Sequence, residues 1–252
     1  MKTGIYSEFV GRATEHLVEA LGGALIHVVQ LGSLAHGGFS ERFSDIDIAV
    51  ILKDRVTDAR IEDLKQRLAG LEPLRLAEKI SLFWTVPDFS WGRLRPVDQV
   101  DLHDNGRPLW GGPLRGLAPR PAPEAVREDM RALSLPYWAE KTRHFSGQLP
   151  ASESEFKEFV RCLLYPARLI FTWRTGRLGS NDEAVDYAER VAADSSLRPD
   201  MLREALGCRN GEIEDRHLFR FQPDLERQRF ATLAFLGLDT ATPSPSAGEN
   251  TP

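Results

Sequence analysis

Residues 32–47, which begin Gly32-Ser33 and end Ser44-Asp45-Ile46-Asp47, constrain the fold more than any other stretch, because they separate two short apolar runs, 26–31 and 48–52. Runs of five or six residues rich in Val and Ile and bounded by Gly and Ser read as buried strands. A polar, Gly-rich connection between two such strands places its functional groups at strand ends. Asp45 and Asp47 are two apart, so on a strand their carboxylates share one face while Ile46 and Ile48 turn to the other. Gly32 lets the backbone come close to a bound group, and Ser33 adds a hydroxyl at an expected helix start, a favourable seat for phosphate, with Ser44 on the other side of the loop. Two adjacent carboxylates call for a cation, and hard oxygen ligands select magnesium. A pair of such ions bridges triphosphate oxygens and stabilises the attacking and leaving oxygens of an in-line displacement. The motif therefore predicts nucleotidyl transfer, with a third carboxylate supplied by a neighbouring strand. Ser-Asp turns and Asp-x-Asp on solvated strand edges are common by themselves. The combination of Gly-Ser, spacer and Ser-Asp-Ile-Asp between two apolar strands is not explained by packing.

The chain of 252 residues can bury a substantial core in one large or two modest domains. Cys162 and Cys208 are its two cysteines, too few for a disulfide framework or a zinc cluster, which fits a reducing, cytoplasmic setting. The first eight residues carry no apolar signal core, and no apolar run reaches membrane-spanning length, so neither secretion nor a membrane is expected. A formal net charge of -5 disfavours a nucleic acid as partner and suits a small cationic substrate. Oligomeric state leaves no mark in the sequence.

Apolar spacing predicts a helix over 7–21 ending at Gly22-Gly23, another over 58–71, and one long strand over 74–86. Residues 108–123 are dense in Pro and Gly and read as a boundary. Beyond it, 124–145, 153–175, 181–193, 198–208 and 225–236 show helical periodicity. The expected class is α+β. A mixed-sheet nucleotidyltransferase domain would cover 1–112, a linker 113–123, a helical substrate domain 124–239, and a disordered tail 240–252.

The Gly-Ser, spacer, Asp-x-Asp pattern resembles the polymerase-beta-like nucleotidyltransferase superfamily. Arg168 to Gly176 with Thr175-Gly176, followed by Ser180-Asn181-Asp182-Glu183-Ala184, is similar to the helical half of the aminoglycoside adenylyltransferases that act on streptomycin and spectinomycin. The likeness spans most of 24–195. It implies ATP as co-substrate, two Mg2+ ions, and transfer of AMP to a hydroxyl of a small cationic acceptor of aminoglycoside type. A Glu opening the third strand is the base in that family, preceded by Leu-Arg, and Leu74-Arg75-Leu76-Ala77-Glu78 is similar. The resemblance thus assigns Glu78 as catalytic base and third metal ligand beside Asp45 and Asp47, and Asp182 as the group that holds the acceptor. Asp98 and Asp101 are rival carboxylates, and Ser81 has no charge to offer. Asn181 stands where the family often has Lys.

Asp182 also sits where Asp commonly opens a helix. The five tryptophans, Trp84, Trp91, Trp110, Trp138 and Trp173, read as packing, and His36 as loop. Arg168, Arg174 and Arg190 face either cleft or solvent, and any of them could clamp phosphate. Two alternatives stay open: a nucleotidyltransferase that modifies a protein partner, and a nucleotide-binding protein with decayed catalysis.

Overall fold

The computed structural model describes residues 3–192 and 196–238; the tail 240–252 and Ala193 at the end of one expected helix lie outside the described residues. Helix α1 (Thr3–Leu21) buries Phe9, Val10, Ala13, Leu17 and Leu21, the stripe its spacing predicts, and Gly22 at φ +50 follows its end. Strand β1 (Leu25–Gln30), a short α2 (Gly32–His36) and β2 (Ile46–Leu52) come next. Helix α3 (Asp58–Ala69) starts at Thr57, whose hydroxyl accepts the Arg60 N–H.

The run 74–86 is not one strand. Leu74–Ala77 forms a turn of helix, α4, and only Ile80–Thr85 forms β3. The reason is local: Leu-Arg-Leu-Ala favours helix, while the β-branched and aromatic residues begin at Ile80. Helix α5 (Pro96–Asn105) and strand β4 (Arg107–Trp110) follow, so the Pro- and Gly-dense run 108–123 begins inside the sheet, with 113–123 lying beyond the strand. Pro108 is tolerated because β4 is an edge strand.

From residue 123 the described residues are helical or irregular, with α6 (Pro123–Asp129), α7 (Leu135–Gly147), α8 (Glu153–Thr175), α9 (Asn181–Val191), α10 (Pro199–Asn210), α11 (Asp215–Leu218) and α12 (Leu225–Phe235). The expected helix over 124–145 is broken into α6 and α7 by a wide π turn at Met130–Ser134. Pro136 lacks an N–H for the regular ladder and fits just after such a turn. Among the described residues no helix is long and apolar enough to cross a membrane.

The architecture is α+β, a four-stranded sheet of order β3-β2-β1-β4 followed by helices. β1 pairs antiparallel with β2 and β4, and β2 runs parallel to β3. Strand alternation then decides which face carries chemistry. Ile46, Ile48, Val50 and Leu52 turn to one face and pack with α1 and α3, while Ala49 and Ile51 turn to the other with Leu94 and Leu102 beneath α5. Asp47 shares the parity of Ala49 and Ile51, so it emerges on the α5 face. A third core joins the helices from α6 onward and takes in Phe43 from the motif loop, 2% exposed and packed against Phe156 of α8. Burying that ring is worth about 2 kcal/mol, which ties the loop to the helical half.

Candidate active site

Gly32 opens α2 at φ +64, and a Cβ there would lie 2.0 Å from Asp47 Oδ2. Only glycine leaves room for the Asp47 side chain here. The Gly32 N–H is already used, donating to Asp101 Oδ2 at 2.7 Å. The carboxylate of α5, rather than an open anion seat, occupies the start of this one-turn helix. Asp101 is 5% exposed and also accepts from Asn105 Nδ2 at 2.9 Å, so it is a fixed brace under the loop.

Asp45 faces α8. Lys157 Nζ lies 2.6 Å from its Oδ1 and Arg161 Nη2 lies 2.5 Å from its Oδ2. Burial works to raise its pKa, but the two cations hold the carboxyl below its ordinary range. Asp47 has the opposite environment. Burial first, then the charges of Asp45 and Asp101, push its pKa up to about 7. Among the described residues no side chain hydrogen-bonds the Asp47 carboxylate, and such a group is short of positive charge.

Ser33 and Ser44 meet: Ser33 Oγ donates to Ser44 Oγ at 3.0 Å. Ser44 Oγ also accepts the Ser40 N–H at 2.9 Å and Arg209 Nη2 at 2.7 Å. Arg209 comes from α10, is 9% exposed and reaches Gly38 O at 3.2 Å with the same nitrogen. Burial, then Arg168 and Arg161 nearby, lower its pKa to about 10, so it stays charged at neutral pH.

These groups line a cavity of about 420 Å³ between the sheet edge, α5 and the helices. Gly32, Ser33, Ser44, Asp45 and Asp47 are brought together there. Glu78 is not. It is exposed at the end of α4, ahead of β3, and does not reach the cavity. The strand register explains why: Asp47 pairs with Ser81 and Ala49 with Phe83, so the positions beside Asp47 on the neighbouring strand carry Ser and Phe. Carboxylates reach the cavity instead from α5, through Asp98 and Asp101. Asp182 is exposed in the first turn of α9, while its neighbour Asn181 lines the cavity. The side chain that caps α9 is Ser180, whose Oγ accepts the Glu183 N–H.

The cationic wall was missed except for Arg168. Arg161, Arg168 and Arg209 line the cavity, whereas Arg174 donates to Phe235 O and Arg190 is exposed. None of the five tryptophans lines it; Tyr137 and Tyr165 do. His36 also faces it, with a pKa lowered mainly by burial.

Chemically the arrangement is a basin with carboxylates from β2 and its approach and from α5, guanidiniums from α8 and α10, and Arg93 beside β3. The carboxylates are hard oxygen ligands, and the raised proton affinity of Asp47 is relieved by a divalent cation as readily as by a proton, so the pair Asp45 and Asp47 fits magnesium. Among the described residues no three acidic, imidazole or thiol groups converge on one point.

No family model matches the sequence, and no curated relative matches it either. Among solved structures, the chain is similar to the crystal structure of spectinomycin adenyltransferase AAD(9) from Enterococcus faecialis with ATP and spectinomycin, at a TM-score of 0.57 and 16% identity. The match covers 87% of this chain and 98% of that one, so the likeness includes both the sheet and the helical half, and it is a likeness of fold.

Proposed function

We propose that the protein is a nucleotidyltransferase that moves AMP from ATP to a hydroxyl of a small-molecule acceptor and releases pyrophosphate. The observation that carries this reading is Asp47, a half-buried carboxylate crowded by Asp45 and Asp101 and facing a cavity that also holds the guanidiniums of Arg161, Arg168 and Arg209. Carboxylates that need a cation and arginines that need an anion are what a metal-bound triphosphate supplies together. Asp45 and Asp47 would hold magnesium, which, when bound, neutralises phosphate charge and orients the triphosphate. Arg161, Arg168 and Arg209 would take the phosphate oxygens. Lys157 and Arg161, which neutralise Asp45 in the structure, become available to the triphosphate once the carboxylate has another cation.

The fold likeness to an adenyltransferase crystallised with ATP and spectinomycin supports ATP as donor and a small acceptor such as an aminoglycoside. In the same reading the half before residue 113 carries the nucleotide and the helical half after 123 shapes the acceptor site, with Asp182 at its rim.

A second reading is favoured by one observation: Ser81 and Phe83 occupy the strand positions beside Asp47, so the sheet supplies no third carboxylate. A protein with decayed catalysis would bind ATP and magnesium without turnover. Pyrophosphate release from ATP and magnesium across a panel of hydroxyl acceptors, aminoglycosides and spectinomycin included, separates the two. Release that depends on one acceptor and vanishes in Asp47→Asn supports transfer; tight ATP binding with no release across the panel supports the binding protein.

A further inference from the structure

We propose that Asp98 is the catalytic base of this site and that the acceptor hydroxyl reaches it through a smaller cavity adjoining the nucleotide cavity. The inference rests on the nucleotidyltransferase reading and adds to it the missing carboxylate and the route of the acceptor.

The second cavity, about 160 Å³, lies between α5, the π turn at Met130–Ser134 and α8. It shares Asp98, Tyr165, Arg168, Leu178 and Gly179 with the larger one, so Asp98 stands where the two meet. Asp98 and Arg168 therefore stand between a group bound in the small cavity and a nucleotide bound in the large one. Pockets for drug-sized ligands run from about 300 Å³ upward. This one therefore admits only a fragment-sized part of an acceptor. Apart from Asp98, Arg168 and Arg95 its lining residues are uncharged, Val97, Met130, Leu169 and Phe171 with Ser134 and Thr172 among them, which suits an uncharged, hydroxyl-bearing group. Arg95 at its rim is balanced by Asp129 at 3.5 Å.

The competing carboxylates are excluded by their positions. Glu78 lies outside the cavity. Asp101 is locked by Gly32 and Asn105. Asp45 and Asp47 are assigned to the metal. Asp98 uses Oδ2 to accept the Arg95 N–H at 3.1 Å, which fixes the side chain at the first turn of α5 and takes up only one of its two carboxylate oxygens. Burial raises its pKa to about 6 against the opposing pull of Arg95, a value suited to a base acting near neutrality. In the step assigned to it, Asp98 accepts the proton of the acceptor O–H as that oxygen bonds to the α-phosphorus of ATP. The bond from the α-phosphorus to the bridging oxygen breaks, and pyrophosphate leaves with the electron pair.

The test compares wild type, Asp98→Asn, Glu78→Gln and Ser134→Trp in pyrophosphate release from ATP and magnesium, using spectinomycin, streptomycin and molar glycerol as hydroxyl probes, with ATP affinity measured in parallel by calorimetry. Asn keeps an oxygen for the Arg95 N–H, so the cap of α5 survives while the base is lost. Base catalysis typically contributes ~10²–10⁴-fold, so Asp98→Asn should lower kcat by about 100-fold or more at unchanged ATP affinity, and Asp98→Glu should restore part of it. Glu78→Gln should stay within about twofold of wild type, and Ser134→Trp, which fills the small cavity, should keep ATP binding and lose transfer. A wild-type kcat in Asp98→Asn, or a collapse in Glu78→Gln, overturns the assignment of the base. Transfer that persists in Ser134→Trp overturns the acceptor route, whereas wild-type protein that binds ATP and transfers to no probe fails the nucleotidyltransferase reading itself. A wild-type protein that does not bind ATP at all sinks the nucleotidyltransferase reading itself, a failure the calorimetry distinguishes from the others.

Discussion

Arg161 of α8 places Nη2 2.5 Å from Oδ2 of Asp45, and Lys157 one helical turn earlier places Nζ 2.6 Å from the other oxygen. The helical half thus grips the motif strand by the very carboxylate that the site needs. Arg161 is 30% and Asp45 32% exposed on the side chain, so water screens part of the attraction. Arg161→Met is expected to cost only about 1 kcal/mol of stability in urea denaturation. If the same guanidinium serves the triphosphate, ATP affinity in the presence of magnesium should fall about 10-fold by calorimetry. Unchanged affinity would remove Arg161 from the phosphate site.

Gly32→Ala tests the closeness of loop and strand. The new methyl would need the space of Asp47 Oδ2, 2.0 Å away, at a φ of +64 that L-residues rarely adopt. The backbone conformation alone costs about 1 kcal/mol, and displacing the Asp47 carboxylate should weaken magnesium-dependent ATP binding by more than tenfold. The same substitution at Gly37, where a Cβ meets nothing within 4 Å, should cost backbone strain alone and spare binding.

Asp47 predicts a pH dependence of the metal-free protein. Its folded pKa of about 7 lies above the ordinary 3.8, so the native state holds a proton the unfolded chain releases. The stabilisation this gives is complete below about pH 4 and is lost as pH rises through 7; discounted for solvent relaxation it amounts to about 2 kcal/mol. In chelator, wild type should lose this much more stability than Asp47→Asn between pH 4 and 8. Added magnesium should restore wild type at pH 8 and do little at pH 5. Parallel profiles for the two proteins would contradict the raised pKa.

Arg209 holds Ser44 Oγ and Gly38 O from a helix far along the chain. Arg209→Met removes the guanidinium from the buried Ser44 Oγ and from the exposed Gly38 carbonyl and loses the packing of a buried side chain, and should cost about 1–2 kcal/mol, whereas Ser44→Ala, which deletes one hydroxyl, should cost about 1 kcal/mol or less. Chemical denaturation of the two variants checks the order.

The motif from Gly32 to Asp47 was readable because its chemistry is local: strand parity alone puts Asp47 opposite the core residues Ile46 and Ile48. The partners of Asp45 were not readable, since Lys157 and Arg161 lie 112 and 116 residues away and helical spacing gives no direction to a charged face. Glu78 was misplaced because the family-like sequence order does not encode register; pairing of Asp47 with Ser81 puts Glu78 before the strand begins. Helix α5 carries little apolar periodicity and was passed over, although Pro96 at its first turn and Asp98 two residues on are a recognised start signal. That omission hid how Asp98 and Asp101 come to the site.

Asp182 illustrates the limit of transfer by resemblance. It opens α9 as Asp often does, and Ser180 already supplies the cap, so Asp182→Asn should change stability by well under 1 kcal/mol. An acceptor role would show instead as a raised KM for the acceptor with kcat held.

The most direct measurement follows the two ends of the triphosphate. Purified protein is incubated with magnesium, an acceptor panel and ATP labelled either at the α- or at the γ-phosphorus. Nucleotidyl transfer predicts that α-label appears on the acceptor and γ-label in pyrophosphate, with both signals lost in Asp47→Asn. Label from the γ-position on the acceptor, or transfer undiminished in Asp47→Asn, would contradict the assignment of this site.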